Sequence, residues 1–236
     1  MTAPFTVSCK DCKLSEMCLP HALDETDIQY IDSTVKRGKP LQRNDTVYQS
    51  GDPFRSIYAV RAGAFKTFHL DEDGEEHVMG FHLPGEIFGL DAIDEGTHRN
   101  TAVALDTSAV CEIPYAEIEN LSHRISKLQT HMFRLLSREI RDDQILQMLL
   151  GKRTAEERIG SFLLNLSARH RQRNLSPHQL HLVMPRTDLG NYLGLAVETV
   201  SRVFTRLQDQ GLLKVNGKDI EILEQSELCK VAHLTP

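Results

Sequence analysis

Three cysteines lie within the first 18 residues, and a fourth lies much further along the chain. The first three are Cys9, Cys12 and Cys18 on the polar segment C-K-D-C-K-L-S-E-M-C, and the fourth is Cys111. Packing does not explain this pattern, because cysteine in a core serves as a small apolar residue. Four thiolates are the ligand set of a structural zinc ion or of an iron–sulfur cluster. The sequence therefore predicts a metal centre near the N-terminus and leaves both alternatives open.

The bulk composition is typical of a soluble intracellular protein. The 236 residues, 40% of them hydrophobic, suffice for one large domain or two smaller ones. The N-terminal segment M-T-A-P-F-T-V-S is too short and polar for a signal peptide, and no apolar run approaches the ~20 residues of a membrane span. An odd number of cysteines without an export signal favours metal ligation over disulfides. We therefore expect a cytoplasmic protein with no membrane partner.

Charge is distributed unevenly along the chain. Residues 1–150 carry 15 basic against 24 acidic side chains, a net charge of −9, whereas residues 151–236 carry 12 against 9, a net charge of +3. A basic C-terminal part on an acidic protein indicates that this part approaches a polyanion.

Residues from about Lys39 to Tyr115 show the pattern of short strands separated by turns. The predicted strands include Ser56–Val60, Ala64–Leu70 and Glu75–Leu83. Glycine, proline and aspartate interrupt the chain every ten or so residues, which favours an antiparallel sandwich or barrel. We predict a β-roll here, within an N-terminal sensor domain of residues 1–115.

The periodicity becomes helical from about Pro114 to Leu150, with no glycine or further proline. One apolar stripe, predicted to face the strand domain, contains Ile125, Leu128, Met132 and Leu135. A second stripe has heptad-like spacing and contains Phe133, Leu136, Ile140, Asp143 and Gln147. A second seam on a helix that is already packed on one side indicates a partner helix, most simply from a symmetric second chain. Residues 116–150 are therefore predicted to be a dimerisation helix.

Asp143 interrupts the second stripe. Two carboxylates that face each other would repel and would lose hydration, so an acid at this position weakens a dimer. The alternative is that Asp143 simply faces water.

The third part, residues 151–236, contains a helix-turn-helix signature at residues 186–207. A capping box of Thr154 and Glu157 begins a helix that buries Ile159, Phe162, Leu163 and Leu166. A short helix with Leu189 and Leu193, a left-handed turn at Gly194 with Leu195 at the corner, and a second helix with four buried apolar residues then follow. The four are Val200, Val203, Phe204 and Leu207. Leu212–Val215 and Asp219–Leu223 flank Asn216-Gly217, a hairpin turn, and so predict a wing.

The second helix of this motif exposes Glu198, Ser201 and Arg202, with Arg206 one turn further on. Arginine matches the O6/N7 edge of guanine, glutamate accepts from a cytosine amino group, and serine is a small adaptable partner. The alternative is that Glu198 and Arg202 form only a surface pair four residues apart. We predict that Glu198, Ser201 and Arg202 read base edges in double-stranded DNA.

With these features the chain resembles the FNR/ANR-type anaerobic regulators, the fumarate-and-nitrate-reductase regulator family of the cyclic-AMP receptor protein (CRP) superfamily, and especially its pseudomonad-type members. The resemblance covers nearly the whole chain. The segments that carry it are C-K-D-C-K-L-S-E-M-C, G-F-H-L-P-G-E-I-F-G-L, V-C-E-I-P, S-R-E-I-R-D-D-Q and N-Y-L-G-L-A-V-E-T-V-S-R. It implies an α+β fold with an N-terminal β-roll, a long dimerisation helix and a C-terminal winged helix-turn-helix.

The resemblance also implies a function. Cys9, Cys12, Cys18 and Cys111 would ligate an oxygen-labile [4Fe–4S] cluster, and the cluster-bearing form would dimerise through the long helix, where Asp143 matches a repulsive acidic position. The homodimer would bind a palindrome similar to TTGAT-N₄-ATCAA and act with RNA polymerase on anaerobic or microaerobic respiration genes. Oxygen would degrade the cluster, separate the dimer and lower its DNA affinity.

Two other regulators and an enzyme are alternatives. A cyclic-nucleotide-responsive regulator would need an Arg-Ser pair, but the corresponding H-R-N-T-A-V has Arg99 without an adjacent serine. A structural-zinc DNA-binding protein would use the same cysteines. No Walker loop, dinucleotide motif or nucleophile–base arrangement indicates an enzyme. Met17 and His21 depart from the family pattern beside the cysteines, and Cys229 matches no ligand position.

Overall fold

The structure is a computed structural model that describes residues 7–19 and 23–234. The chain divides into two compact units, residues 1–140 and 141–236, and the boundary falls within one long helix. Each unit is described by itself.

The first unit is built on eight short strands. They are β1 Lys36–Arg37, β2 Thr46–Tyr48, β3 Ser56–Ala62, β4 Phe65–Leu70, β5 Glu76–His82, β6 Ile87–Phe88, β7 Thr101–Ala104 and β8 Ala109–Pro114. They form two antiparallel four-stranded sheets, with strand orders β1-β8-β3-β6 and β2-β7-β4-β5. Tyr48, Phe65 and Phe88 belong to the core that both sheets supply. The predicted β-roll is confirmed.

In the described residues, three α-helices accompany these sheets: α1 Glu25–Thr34, α2 Tyr115–Arg124 and α3 Ser126–Lys152. The sequence pattern predicts one uninterrupted helix from about Pro114 to Leu150, and that prediction is wrong. The chain breaks at Ile125, whose backbone is extended, whereas Gly151 lies inside α3. The break lets apolar residues of both α2 and α3 enter one core, because each helix adopts its own direction.

The apolar stripe predicted to face the strand domain is confirmed. Leu128 is completely buried and Met132 nearly so, while Ile125 and Leu135 are partly buried against the same core. The remaining buried members of this core include Ile31, Ile57 and Ile113 and come from α1, α2, β3, β6 and β8, apart from Leu19 and Val35, which lie outside these elements. This core is also where the cysteines lie.

The second unit contains α4 Ala155–Gln172, β9 Gln179–His181, α5 Arg186–Leu193, α6 Val197–Asp209, β10 Leu213–Asn216, β11 Asp219–Ile222 and α7 Gln225–Val231. The strands form an antiparallel sheet in the order β10-β11-β9. The predicted capping box is present: the Glu157 amide donates to Thr154 Oγ1 at 3.3 Å, and the Thr154 amide donates to Glu157 Oε2 at 2.6 Å. These hydrogen bonds lower the pKa of Glu157 to about 2.

The wing hairpin is present, but its turn lies one residue later than predicted. Asn216 pairs with Asp219, so the turn residues are Gly217 and Lys218. Gly217 has a φ of +60°. A two-residue hairpin with glycine at its first central position needs positive φ only there, so lysine can occupy the second.

Among the described residues, no helix is both long enough and apolar enough to cross a membrane.

Candidate metal centre and nucleic-acid interface

The structure brings the four predicted ligand cysteines into one neighbourhood. All four are half-buried free thiols, and Cys9, Cys18 and Cys111 pack against the core shared by the sheet and helices of the first unit. Cys12 interacts electrostatically with both Cys18 and Cys111. Two distant segments of the chain therefore converge, and we refer to Cys9, Cys12, Cys18 and Cys111 as the cysteine group.

Burial raises the pKa of three thiols of the cysteine group, Cys9, Cys18 and Cys111. Desolvation raises the pKa of the Cys9 and Cys18 thiols to about 12, and a hydrogen bond from Cys9 to Asp32 contributes at Cys9. Desolvation also raises the pKa of Cys111, against the opposing charges of Arg37 and Arg61. Cys9 and Cys18 are therefore protonated at neutral pH, and a soft metal that binds them must release protons.

One arginine links two members of the cysteine group. Arg37 Nη2 donates to Cys9 Sγ at 3.2 Å, and the same guanidinium lies within hydrogen-bonding reach of Cys111. The side chain of Arg37 is only 10% exposed. Its Nε is buried and has no hydrogen-bond partner within the described part of the chain. A buried donor without an acceptor beside thiols fits a sulfur-rich group that accepts hydrogen bonds.

The donor set of the cysteine group is rich in sulfur. Over residues 7–19 and 23–234, no three His, Cys, Asp or Glu side chains are arranged as ligands of a single metal ion. Four convergent thiols and a buried N–H donor are nevertheless the groups that hold an iron–sulfur cluster in proteins. The residues present therefore fit such a cluster.

Met17, which departs from the family pattern, lies against the turn that precedes β6. The space where a Cβ of Gly85 would stand is filled by Met17, at 2.7 Å from its Cε and 3.2 Å from its Cβ. A side chain at Gly85, whose φ is +89°, would have to displace Met17, so the cysteine-bearing segment packs closely against this turn of the roll. His21 lies outside the described residues.

The helix-turn-helix has the predicted geometry. Gly194 adopts left-handed φ of +62°, and Leu195 behind it is half-buried. A Cβ on Gly190 would stand 2.6 Å from the carbonyl oxygen of Leu195, so the close approach of α5 to the turn requires glycine. The guanidinium of Arg186, at the start of α5, lies 3.6 Å from the ring centre of Phe204 on α6. These contacts fix the angle between the two helices.

The second helix of the motif, α6, buries one face and exposes the other. The predicted buried residues Val200, Val203, Phe204 and Leu207 are confirmed. Glu198, Ser201 and Arg202 are all exposed. Ser201 Oγ donates to the Val197 carbonyl at 3.0 Å, and Arg202 Nη2 donates to Thr199 Oγ1 at 3.1 Å. Arg206 instead forms an ion pair with Glu156 of α4.

Sequence reasoning did not identify Arg158 of α4, which joins two helix ends. Its Nη2 donates to the Leu150 carbonyl at 2.8 Å and its Nε to the Arg153 carbonyl at 3.0 Å, at the end of α3. Its Nη1 donates to the Leu193 carbonyl at 2.8 Å, at the end of α5. A cation at two helix C-termini stabilises both, because carbonyl groups there lack partners within the helix.

We expect Arg158→Ala to lower the free energy of unfolding by about 2–4 kcal/mol, because charged hydrogen bonds contribute roughly 1.5–3 kcal/mol each and are not fully additive. Urea denaturation of the variant and the parent measures this. Arg171→Ala, which removes an exposed arginine from the same helix, is the control and should change stability by less than about 0.5 kcal/mol. Equal stabilities of the two variants would contradict the role of Arg158.

The face of α3 predicted as a dimer seam is exposed in the single chain. Phe133 is 62% and Ile140 59% exposed, while Leu136 is half-buried. Asp143 is also exposed, and partial desolvation together with the neighbouring Asp142 raises its pKa. Large apolar side chains that repeat along an exposed helix indicate an interaction surface.

Two other predicted features have clear positions. Cys229 lies buried on α7, in the second unit, whereas the cysteine group belongs to the first. Arg99 forms an ion pair with Glu95, and both are exposed. The neighbouring His98 is buried and stacks on Tyr48, with ring centres 3.7 Å apart.

A β-roll beside a long helix, followed by a winged helix-turn-helix with a polar exposed face on its second helix, defines a class of DNA-binding transcription regulator. Residues 39–124 match the cyclic nucleotide-binding domain family, and residues 157–231 match the Crp-like helix-turn-helix domain family. FixK2 from Bradyrhizobium japonicum has the same fold, with a TM-score of 0.78 and 28% identity over 86% of this chain and 99% of that one.

The transcriptional activator protein Anr of Pseudomonas aeruginosa is 51% identical over 224 residues, which cover 95% of this chain and 92% of the relative. The fumarate and nitrate reduction regulatory protein of Escherichia coli is 44% identical over 226 residues, or 96% and 90%. The chain belongs to the Anr/FNR family of transcriptional regulators within the CRP superfamily. It is a DNA-binding regulator and not an enzyme.

Proposed function

We propose that this regulator senses oxygen through a [4Fe–4S] cluster held by Cys9, Cys12, Cys18 and Cys111. The observation that supports this most is the convergence of four half-buried thiols, three of which pack against one core, with a buried arginine between two of them. When bound, such a cluster supplies an oxygen-labile group. The chain supplies four soft ligands, a low-dielectric surrounding and a hydrogen-bond donor, the features by which proteins tune these clusters.

The names of the relatives support the biological setting. One is named for fumarate and nitrate reduction and another is a transcriptional activator. We infer that this chain controls anaerobic or microaerobic respiration genes, acts in the cytoplasm and works with RNA polymerase.

We propose that two chains associate through the face of α3 that carries Phe133, Leu136, Ile140 and Asp143. The exposure of Phe133 and Ile140 supports this, since contiguous exposed apolar side chains usually mark a protein–protein interface. The Asp143 carboxylate keeps the association weak. A small change near the cysteine group can then shift the balance between monomer and dimer.

Dimerisation controls DNA binding through bivalence. One α6 reads one half-site, and a single half-site contact is too weak to compete with genomic DNA. Two linked copies bind a palindrome almost as one bivalent ligand. We propose a two-fold target similar to TTGAT-N₄-ATCAA, with Glu198, Ser201 and Arg202 at base edges.

The cyclic-nucleotide alternative has less support from the geometry. The cation at the relevant position, Arg99, already has a carboxylate partner in Glu95. Tyr48, Tyr58 and His98 all lie within 3.3–3.5 Å of where a Cβ of Gly89 would stand, so aromatic side chains occupy this part of the roll.

Anaerobic purification followed by iron and sulfide analysis and timed exposure to air tests the proposal. We expect a brown protein with about four iron atoms and four sulfides per chain, which loses colour, dimerisation and specific DNA affinity in air. A colourless protein that contains stoichiometric zinc would replace the iron–sulfur proposal with the structural-zinc alternative.

We expect Glu198→Ala and Arg202→Ala to reduce discrimination between the palindrome and random DNA, because a good base contact contributes ~1–3 kcal/mol. Titration of both DNAs with each anaerobic variant measures the ratio of affinities. Lys230→Ala, which removes an exposed cation on α7, should leave that ratio unchanged. An equal loss of specific and non-specific affinity would make Glu198 and Arg202 backbone-positioning residues.

A further inference from the structure

We propose that Arg37, oriented by Asp32, is a positioning residue that holds Cys9 beside Cys111. This inference rests on the proposed function, because it assigns a role in assembling the ligand set. It concerns the contact between the N-terminal cysteine segment, α1 and the β-roll, which is made by Cys9, Asp32, Arg37 and Cys111.

The strand register brings Arg37 to Cys111. β1 pairs with β8, and Arg37 and Cys111 are direct cross-strand partners. Cross-strand partners have their Cβ atoms only ~5 Å apart on the same face of a sheet. The guanidinium consequently spans from Cys111 to the neighbouring segment, where Nη2 lies 3.2 Å from Cys9 Sγ.

Asp32 holds both Arg37 and the backbone of Cys9. Its Oδ1 accepts from Arg37 Nη2 at 2.5 Å and from the Cys9 amide at 2.6 Å. These contacts, together with the low exposure of Arg37, lock the orientation of a side chain that is otherwise flexible. Arginine suits this role, because its planar guanidinium directs several N–H groups at fixed angles, whereas lysine acts as a point charge.

The same strand offers a matched control. Lys36 precedes Arg37 and pairs with Glu112, the neighbour of Cys111, at 3.0 Å. Side chains alternate across a strand, so Lys36 faces away from the cysteine group, and it is 66% exposed. Replacing Lys36 therefore removes one positive charge from β1 without removing a contact to any cysteine of the cysteine group.

The test compares the full-length parent with Arg37→Gln and Lys36→Gln. In the metal-free chain, hydrogen exchange of peptides that contain the Cys9 amide should be about tenfold faster in Arg37→Gln, because Asp32 loses its partner and releases the segment. After anaerobic reconstitution, iron release to a chelator should be about tenfold faster, the usual effect of removing a residue that orients ligands. Lys36→Gln should match the parent in both measurements.

Parent-like exchange and parent-like iron release in Arg37→Gln would overturn the inference. If Arg37→Gln does not fold, Asp32→Asn tests the inference in its place. This variant keeps an oxygen that can accept from the Cys9 amide and removes the charge that orients Arg37. It should show changes in the same direction, about threefold, and no change would count against the proposal. A parent that binds no iron or sulfide would refute the cluster itself, while exchange of the Cys9 amide would still test the role of Arg37.

Discussion

A Cys111→Ser protein is expected to retain almost no iron or sulfide after anaerobic purification, and its affinity for the palindrome should fall to that for random DNA. In the proposed ligand set Cys111 is the member that lies on β8, whereas the other three lie on the N-terminal segment. Serine offers a hard oxygen in place of a soft thiolate and is a poor ligand for this type of cluster. Because specific binding exceeds non-specific binding by ~10³-fold or more, the loss is easily measured in titrations with both DNAs. Cys9→Ser, Cys12→Ser and Cys18→Ser should have the same effect.

Cys229→Ser is the control for these variants. Cys229 is buried on α7, so its replacement buries a hydroxyl and should cost about 1–3 kcal/mol of stability. Iron content and DNA affinity should nevertheless equal those of the parent. A Cys111→Ser protein with full iron content would remove Cys111 from the ligand set.

Features encoded by local pattern could be predicted from the sequence. The capping box at Thr154 and the glycine turn at Gly194 are each specified within a few residues, and the structure has both. The strands of the roll follow from the spacing of the turn residues between them, and the buried face of α6 follows from the helical period of 3.6. The spacing of Cys9, Cys12 and Cys18 on one short segment also drew attention to the cysteine group, whose role as a ligand set stays a prediction.

Features that depend on tertiary packing were missed. Helix α1 buries only Ile31 completely, so it has no clear apolar stripe, although Asp24 as its N-cap was a readable signal. Strand β9 has three residues, of which only Leu180 is buried. The break at Ile125 is set by the core that it joins. No local rule predicts it.

The contacts that orient the site are also non-local. Asp32 lies 23 positions, and Arg37 28 positions, from Cys9. The helix ends that Arg158 joins come from α3 and α5. A single sequence, read before the fold is known, gives no signal for these contacts, since charged residues at such spacings are common on protein surfaces. The contact between Arg37 and Cys111 could be predicted only once the pairing of β1 with β8 was known.

Asp143→Ala is expected to make the protein dimeric and able to bind DNA in air, without an intact cluster. Phe133 and Ile140 already present large exposed apolar side chains along α3, and the carboxylate is the main unfavourable group on this face. Removing it relieves repulsion between two acids and their desolvation, an effect of ~1–3 kcal/mol per dimer at intermediate effective dielectric. The dimerisation constant should rise by roughly tenfold to a hundredfold.

Sedimentation of aerobically purified parent and variant over a range of concentrations measures this constant. Asp142→Ala is the matched control, because it removes the same charge one residue away, where the carboxylate pairs with Arg141 at 3.1 Å. Successive helical residues point about 100° apart, so Asp142 does not share the direction of Asp143, and its removal should strengthen the dimer far less. An equal gain in both variants would mean that net charge, not a facing pair, weakens the dimer. An Asp143→Ala protein as monomeric as the parent would place Asp143 outside the interface, and the switch would then have to act on another face of the chain.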